Sequence, residues 1–293
     1  MDRQATAKKA QQPQVGDDLS HLPAGSGPPA GDPLPPAEHQ ADSNPLLPRV
    51  GDVMPPTADN SGAAVPRWGI LEILLGILLF LFVSLFVGIG FVIVRRPDVI
   101  PDGGLRTILL SLLGLTSEAA LFLPVWIFAV VRRKGGWTAV GFRRVDLVLG
   151  VALPLAYLIV AFAGETIWSG VIQFMKWPTQ QSIENIFGNS VTGVVFGFVT
   201  AVIVGPIAEE AFFRGFVIGG LRRRFGTAAA VLLSALLFTL PHPPVTIYPI
   251  IFLLGILLAL LYVQTKSLWP GILLHALFNG VAFVAQFFIN PPA

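Results

Sequence analysis

A chain of 293 residues with 54% apolar and 12% charged side chains and a mean hydropathy of +0.72 has the composition of a membrane protein, which excludes an ordinary water-soluble domain. The net charge of +2 is small, and the basic residues lie in short clusters between apolar runs, a pattern explained by membrane orientation that implies no nucleic acid. With no cysteine, the chain has no thiol nucleophile, zinc–thiolate site or disulfide framework.

Residues 1–66 hold 12 of the 25 prolines among scattered Asp, Gln and Gly. So little aliphatic surface cannot offset chain entropy, and a disordered, Pro-rich cytoplasmic tail is expected there. The tail has no apolar run that could serve as a signal-peptide core, so the first membrane helix is expected to direct insertion.

Residues 67–293 are expected to form an all-α, polytopic membrane helix bundle of about 7–8 transmembrane helices. Apolar runs of helical length fall at residues 68–94, 105–131, 147–172, 191–221, 227–240, 247–264 and 268–289. Glu72 near the start of the first is expected to snorkel, and Pro206 to kink the fourth. Trp68, Trp137, Trp177 and Trp269 lie near span ends, where interfacial anchors are expected. Glu118 and Glu165 read as helix-packing or cavity-lining acids outside the site.

If the tail is inside, 14 basic residues face inward: four in the tail and Arg67 just after it, five from Arg132 to Arg144, three at Arg222 to Arg224, and Lys266. Only four, Arg95, Arg96, Arg106 and Lys176, face outward. The expectation is a multi-pass cell-membrane protein with a cytoplasmic N-terminus.

One stretch breaks the apolar pattern: Glu209, Glu210 and Arg214 lie inside the fourth run. Ionisable groups at bilayer depth cost at least ~2.5–3.5 kcal/mol each on insertion scales, so they mark a functional site with a partner nearby. On a helix Glu210 and Arg214, four apart, share a face, with the acid N-terminal to the base. Glu209 then points about 100° away, free to face a cavity. His275 and Asn279 share a face of the last run. His242 follows Phe238 by four residues, but Pro241, Pro243 and Pro244 end the helix there.

A carboxylate, two imidazoles and an amide in a low-dielectric cavity suit hydrolysis, in which one group activates water and donors receive the oxyanion. Glu209, His242 and His275 could instead hold a divalent metal such as zinc, leaving a position for water. Spacing leaves both mechanisms open. The chain lacks a Gly-x-Ser-x-Gly turn, a His-Glu-x-x-His helix and any aspartate within an apolar run.

Glu209-Glu210-x-x-x-Arg214 with Phe213-Arg214-Gly215, Phe238-x-x-x-His242 and His275-x-x-x-Asn279, in that order within apolar runs, resemble the CPBP family of CAAX proteases and bacteriocin-processing enzymes. The resemblance puts the protease-like core at about residues 190–289 and implies an intramembrane endopeptidase. It makes Glu209 and His242 the water-activating pair, assigns His275 and Asn279 to the oxyanion site, and leaves Glu210 and Arg214 as supporting residues. No cofactor is required in the glutamate-activated mechanism, although members have also been described as metalloproteases. The implied substrates are membrane-associated or lipid-modified proteins and peptides in the lipid bilayer. The alternative is a non-catalytic membrane scaffold or bacteriocin-immunity protein with the same fold.

Overall fold

The structure, a computed structural model, describes residues 68–134, 136–178, 187–188 and 190–286; the expected tail, residues 1–66, lies outside them. A backbone in a bilayer core has no water to bond, so apolar runs of this length satisfy their own N–H and C=O groups as helices. Among the described residues no strand forms.

In chain order the helices are α1 (Ile70–Val94), α2 (Gly104–Arg132), the short α3 (Gly136–Val140) and α4 (Val148–Met175). A 49-residue helical run, Val191–Thr239, follows. Gly226, at φ 78° and ψ 173°, folds it into α5 (residues 191–225) and α6 (residues 227–239). A side chain is strained at that φ, and glycine is not. The hairpin is pinned by Ser234 Oγ donating to the Phe213 carbonyl at 2.9 Å. After a turn come α7 (Tyr248–Thr265) and α8 (Trp269–Val284).

All seven expected runs are therefore helical over their described residues. Five helical runs, counting Val191–Thr239 as one, are long and apolar enough to cross a membrane. The 16-residue α8 and the short α6 fall below the ~20 residues of a full span. The break at Pro241–Pro244 cuts α6 off.

Contacts between helix ends sort the turns onto two sides. Trp68 Nε1 donates to the Phe216 carbonyl, Tyr262 Oη to the Val140 carbonyl, and the Leu268 amide to the Gly141 carbonyl, at 2.7, 3.2 and 2.9 Å. The start of α1, α3, the α5–α6 bend and the α7–α8 turn thus share one side. On the other, Trp168 Nε1 donates to the Thr246 carbonyl and Thr246 Oγ1 to the Pro178 carbonyl, joining the end of α4 to the α6–α7 turn.

Helix α5 is the axis of the bundle. Every residue from Glu210 to Leu221 is buried, whereas α1 turns Leu74, Leu78, Phe82 and Phe86 outward. An outward apolar face belongs against lipid.

Two expectations about the start of α1 are corrected. Trp68 is not an interfacial anchor: it is 1% exposed and stacks on Phe216 at 6.0 Å. Glu72 does not snorkel. It is buried, accepts the Gly69 amide at 2.9 Å and pairs with Arg133 from the end of α2. A partner within reach offsets the cost of burying the acid, so its stem has no need to reach the interface.

Candidate active site

The acidic pair sits where the helix changes register. Residues 199–204 and 210–218 of α5 are π-helical, with α-helix only over Gly205–Glu209 between them. Such i→i+5 stretches are rare and cluster at functional sites. The backbone shows how the first of them ends. Gly205 donates to the Thr200 carbonyl, five residues back. In that register the next donor, to Ala201, would be residue 206, which is proline and has no N–H. The orphaned Ala201 carbonyl instead accepts Asn279 Nδ2 from α8 at 2.9 Å. Pro206 thus does more than bend the helix: it leaves a carbonyl that ties α8 to α5.

Below this tie the two glutamates diverge, as helical spacing predicts. Glu210 and Arg214 are 0% exposed, with Arg214 Nη1 2.9 Å from Glu210 Oε1, an ion-pair contact not aligned as a hydrogen bond. Arg214 Nη2 donates to the Gly255 carbonyl of α7 at 3.2 Å, and its guanidinium lies over the Phe238 ring, 4.3 Å from the centroid. Gly215 follows because a Cβ there would stand 2.6 Å from the Val140 carbonyl oxygen of α3. The Glu209 side chain is 13% exposed and faces a cavity.

His275 joins the two acids. Its Nε2 is 3.4 Å from Glu209 Oε2 and its Nδ1 3.3 Å from Glu210 Oε1. Each nitrogen–oxygen contact is attractive only with a proton along it, and the Nδ1 contact, like that of Arg214, is not aligned as a hydrogen bond. His242 is aimed by the end of α6. Its Nδ1 lies 2.7 Å from the Phe238 carbonyl, one of the helix-terminal acceptors that lacks an amide partner. A carbonyl can only accept, so Nδ1 carries the proton and Nε2 keeps its lone pair. Phe238 is the hub of the site: its ring also meets His242 at 5.0 Å and the edge of His275 at 5.6 Å.

A cavity of about 360 Å³ is lined by Glu209, His242, His275 and Asn279 together. Arg214 and Glu210 stand behind its wall. Among the described residues no three His, Asp or Glu side chains are grouped to hold a metal ion. His242 Nδ1 on a backbone carbonyl and His275 Nδ1 toward Glu210 are held as the second nitrogen of a metal-ligating imidazole commonly is, so these contacts leave Glu209 and the Nε2 atoms of both rings to a water or to a metal ion.

The structure adds Glu118 of α2, with Ser117 and Thr200, to the cavity wall. The sequence does carry a signal for Glu118, an acid alone in an apolar run, but no partner at helical spacing tells a cavity acid from a packing one. Glu165 lies elsewhere and accepts Ser169 Oγ at 2.7 Å.

This is a polytopic helical membrane protein whose cavity gathers acids, imidazoles and an amide from three helices and a turn. Residues 191–281, which hold all three sequence elements, match the type II CAAX prenyl endopeptidase Rce1-like family. The membrane-embedded CAAX protease MroQ of Staphylococcus aureus (strain USA300) is 32% identical over 153 residues, 50% of this chain and 59% of that protein. YdiL of Bacillus subtilis (strain 168), provisionally named a membrane peptidase, is 26% identical over 146 residues, 49% of this chain and 59% of that protein. The aligned region thus spans 59% of the length of each relative. No solved structure matches. These likenesses support the resemblance to the CPBP family that the three sequence elements carry.

Proposed function

We propose that the protein is an intramembrane endopeptidase that hydrolyses peptide bonds of membrane-associated or lipid-modified proteins and peptides. The observation that carries this reading is the convergence of Glu209, His242, His275 and Asn279 on one cavity. A water between the Glu209 carboxylate and His242 Nε2 gives up a proton to Glu209 and attacks the scissile carbonyl. The oxyanion is received by the second N–H of the Asn279 amide, the first being held by Ala201, and by the N–H of His275. Glu210 and Arg214 fix the other side of His275, so that the ring cannot turn away from Glu209. No metal enters this scheme. The family resemblance and the names of the two relatives support peptidase chemistry, and the charge bias supports a cytoplasmic tail.

The test is cleavage of a bilayer-tethered fluorogenic peptide by the full chain in liposomes. Glu209→Gln and His242→Ala are each expected to lower kcat by roughly 10²-fold or more. Activity is expected to survive exhaustive chelation. Cleavage that persists unchanged in both variants would overturn the assignment, and loss on chelation with recovery on adding zinc would overturn the metal-free scheme. A non-catalytic scaffold would show partner binding that is indifferent to both substitutions.

A further inference from the structure

The cavity holds one acid that the scheme above does not use. Glu118 comes from α2, outside the family-matched residues 191–281. Its carboxylate lies against Gly205: a Cβ on that glycine would sit 3.6 Å from Glu118 Oε2. Gly205 is four residues before Glu209 in the α-helical stretch Gly205–Glu209, so the same face of α5 carries Glu209 about one turn, roughly 6 Å, further along. Asn279 reaches this helix at Ala201, a further turn back. The face of α5 is thus met from two sides, by an amide from α8 and an acid from α2, with Glu209 at its end. Beside Glu118 stands Thr200, 4% exposed, which lines the cavity with its Oγ1 unpartnered among the described residues. A buried hydroxyl left without a partner awaits one from a ligand. Among the described residues no Lys or Arg lines the cavity.

Peptide hydrolysis needs two proton movements, one off the water and one onto the nitrogen that leaves. We propose that Glu118 is a further catalytic residue, the acid that protonates the leaving amine. The reading rests on the peptidase assignment and divides its labour. Glu209 takes a proton from water as the new C–O bond forms. The C–N bond then breaks, its electron pair stays on nitrogen, and that nitrogen takes the proton from the Glu118 carboxyl while Thr200 Oγ1 orients the departing N–H group. Glu209 then gives up its proton and Glu118 regains one, so the net change is the consumption of one water. Two carboxylates in one low-dielectric cavity, with the nearest cation, Arg214, already paired to Glu210, are most cheaply kept with a single proton between them, the state in which one acts as base and the other as acid.

The experiment compares two substrates of the same acyl sequence in liposomes, a peptide amide and an ester whose leaving group is a nitrophenolate that departs without a proton. Glu118→Gln is expected to lower kcat for the amide by roughly 10²- to 10⁴-fold, with KM little changed, and to hydrolyse the ester at the wild-type rate. Retained ester hydrolysis also shows that the variant is folded. Glu209→Gln is expected to lose both activities, and Glu165→Gln, outside the cavity, to keep both. Wild-type amide cleavage by Glu118→Gln, or parallel loss of both substrates, would overturn the role of Glu118 while leaving the Glu209 scheme in place. Absence of Glu209-dependent hydrolysis in the wild type would overturn both.

Discussion

Arg214 is fully buried, which is tolerable only because its charge is spent on a specific set of neighbours: the Glu210 carboxylate, the Gly255 carbonyl and the Phe238 ring. Its task is to hold Glu210, which faces His275, which in turn faces Glu209. Removing the cation strands the acid. Arg214→Met is therefore expected to destabilise the protein by about 3–5 kcal/mol, the usual cost of breaking a buried pair from one side. Glu210→Gln combined with Arg214→Met should be less damaging than Arg214→Met alone, since no uncompensated charge remains. Unfolding of the single and double variants in detergent, titrated with a denaturing surfactant, measures both. A double variant at least as unstable as the single would show that packing of the guanidinium, not its charge, carries the cost. The pairing itself was legible in the sequence, because i,i+4 spacing survives even where the helix widens. The link through His275 was not, because it joins residues 65 positions apart, a separation that spacing rules on one helix cannot address.

At the scale of elements, the least legible feature was the register of α5. Apolar periodicity predicts a helix over residues 191–221 and places a kink at Pro206, but an i→i+5 register depends on which carbonyls find outside partners. Here the missing N–H of Pro206 and the amide of Asn279 are two halves of one contact, so they should be energetically coupled. Asn279→Leu leaves the Ala201 carbonyl buried and unmet, which is expected to cost about 1–3 kcal/mol. In a Pro206→Ala background the new amide can take that carbonyl, and Asn279→Leu should then cost distinctly less. A double-mutant cycle on unfolding free energy reads the difference, with a coupling of about 1 kcal/mol expected for one hydrogen bond. Strict additivity would mean that the carbonyl is satisfied in another way. The aim of His242 was equally hidden: prolines after Leu240 predict only that α6 ends, and the imidazole is oriented by the Phe238 carbonyl that this ending exposes.

The whole molecule places nine basic residues of the described chain on the side that carries the start of α1, α3 and the α5–α6 bend: Arg132, Arg133, Lys134, Arg143, Arg144, Arg222, Arg223, Arg224 and Lys266. The opposite side holds Arg95, Arg96, Arg106 and Lys176. Composition and run lengths made the helical membrane class and most helix positions legible, and the alternation of sides follows from them. The hairpin at Gly226 is what keeps the count of crossings in step, because a continuous Val191–Thr239 rod would put α7 and α8 on inverted paths. Sidedness relative to the cell then follows from the charge bias, which predicts that the nine-residue side is cytoplasmic. The native chain contains no cysteine, so single-cysteine variants carry no background. Asp98→Cys, in the exposed α1–α2 turn, is expected to react with a membrane-impermeant maleimide in intact cells. Arg144→Cys, exposed on the other side, is expected to react only after the membrane is opened. The reverse pattern would invert the protein, and labelling of both from outside would mean that α2 does not cross, which would also take Glu118 out of the cavity wall.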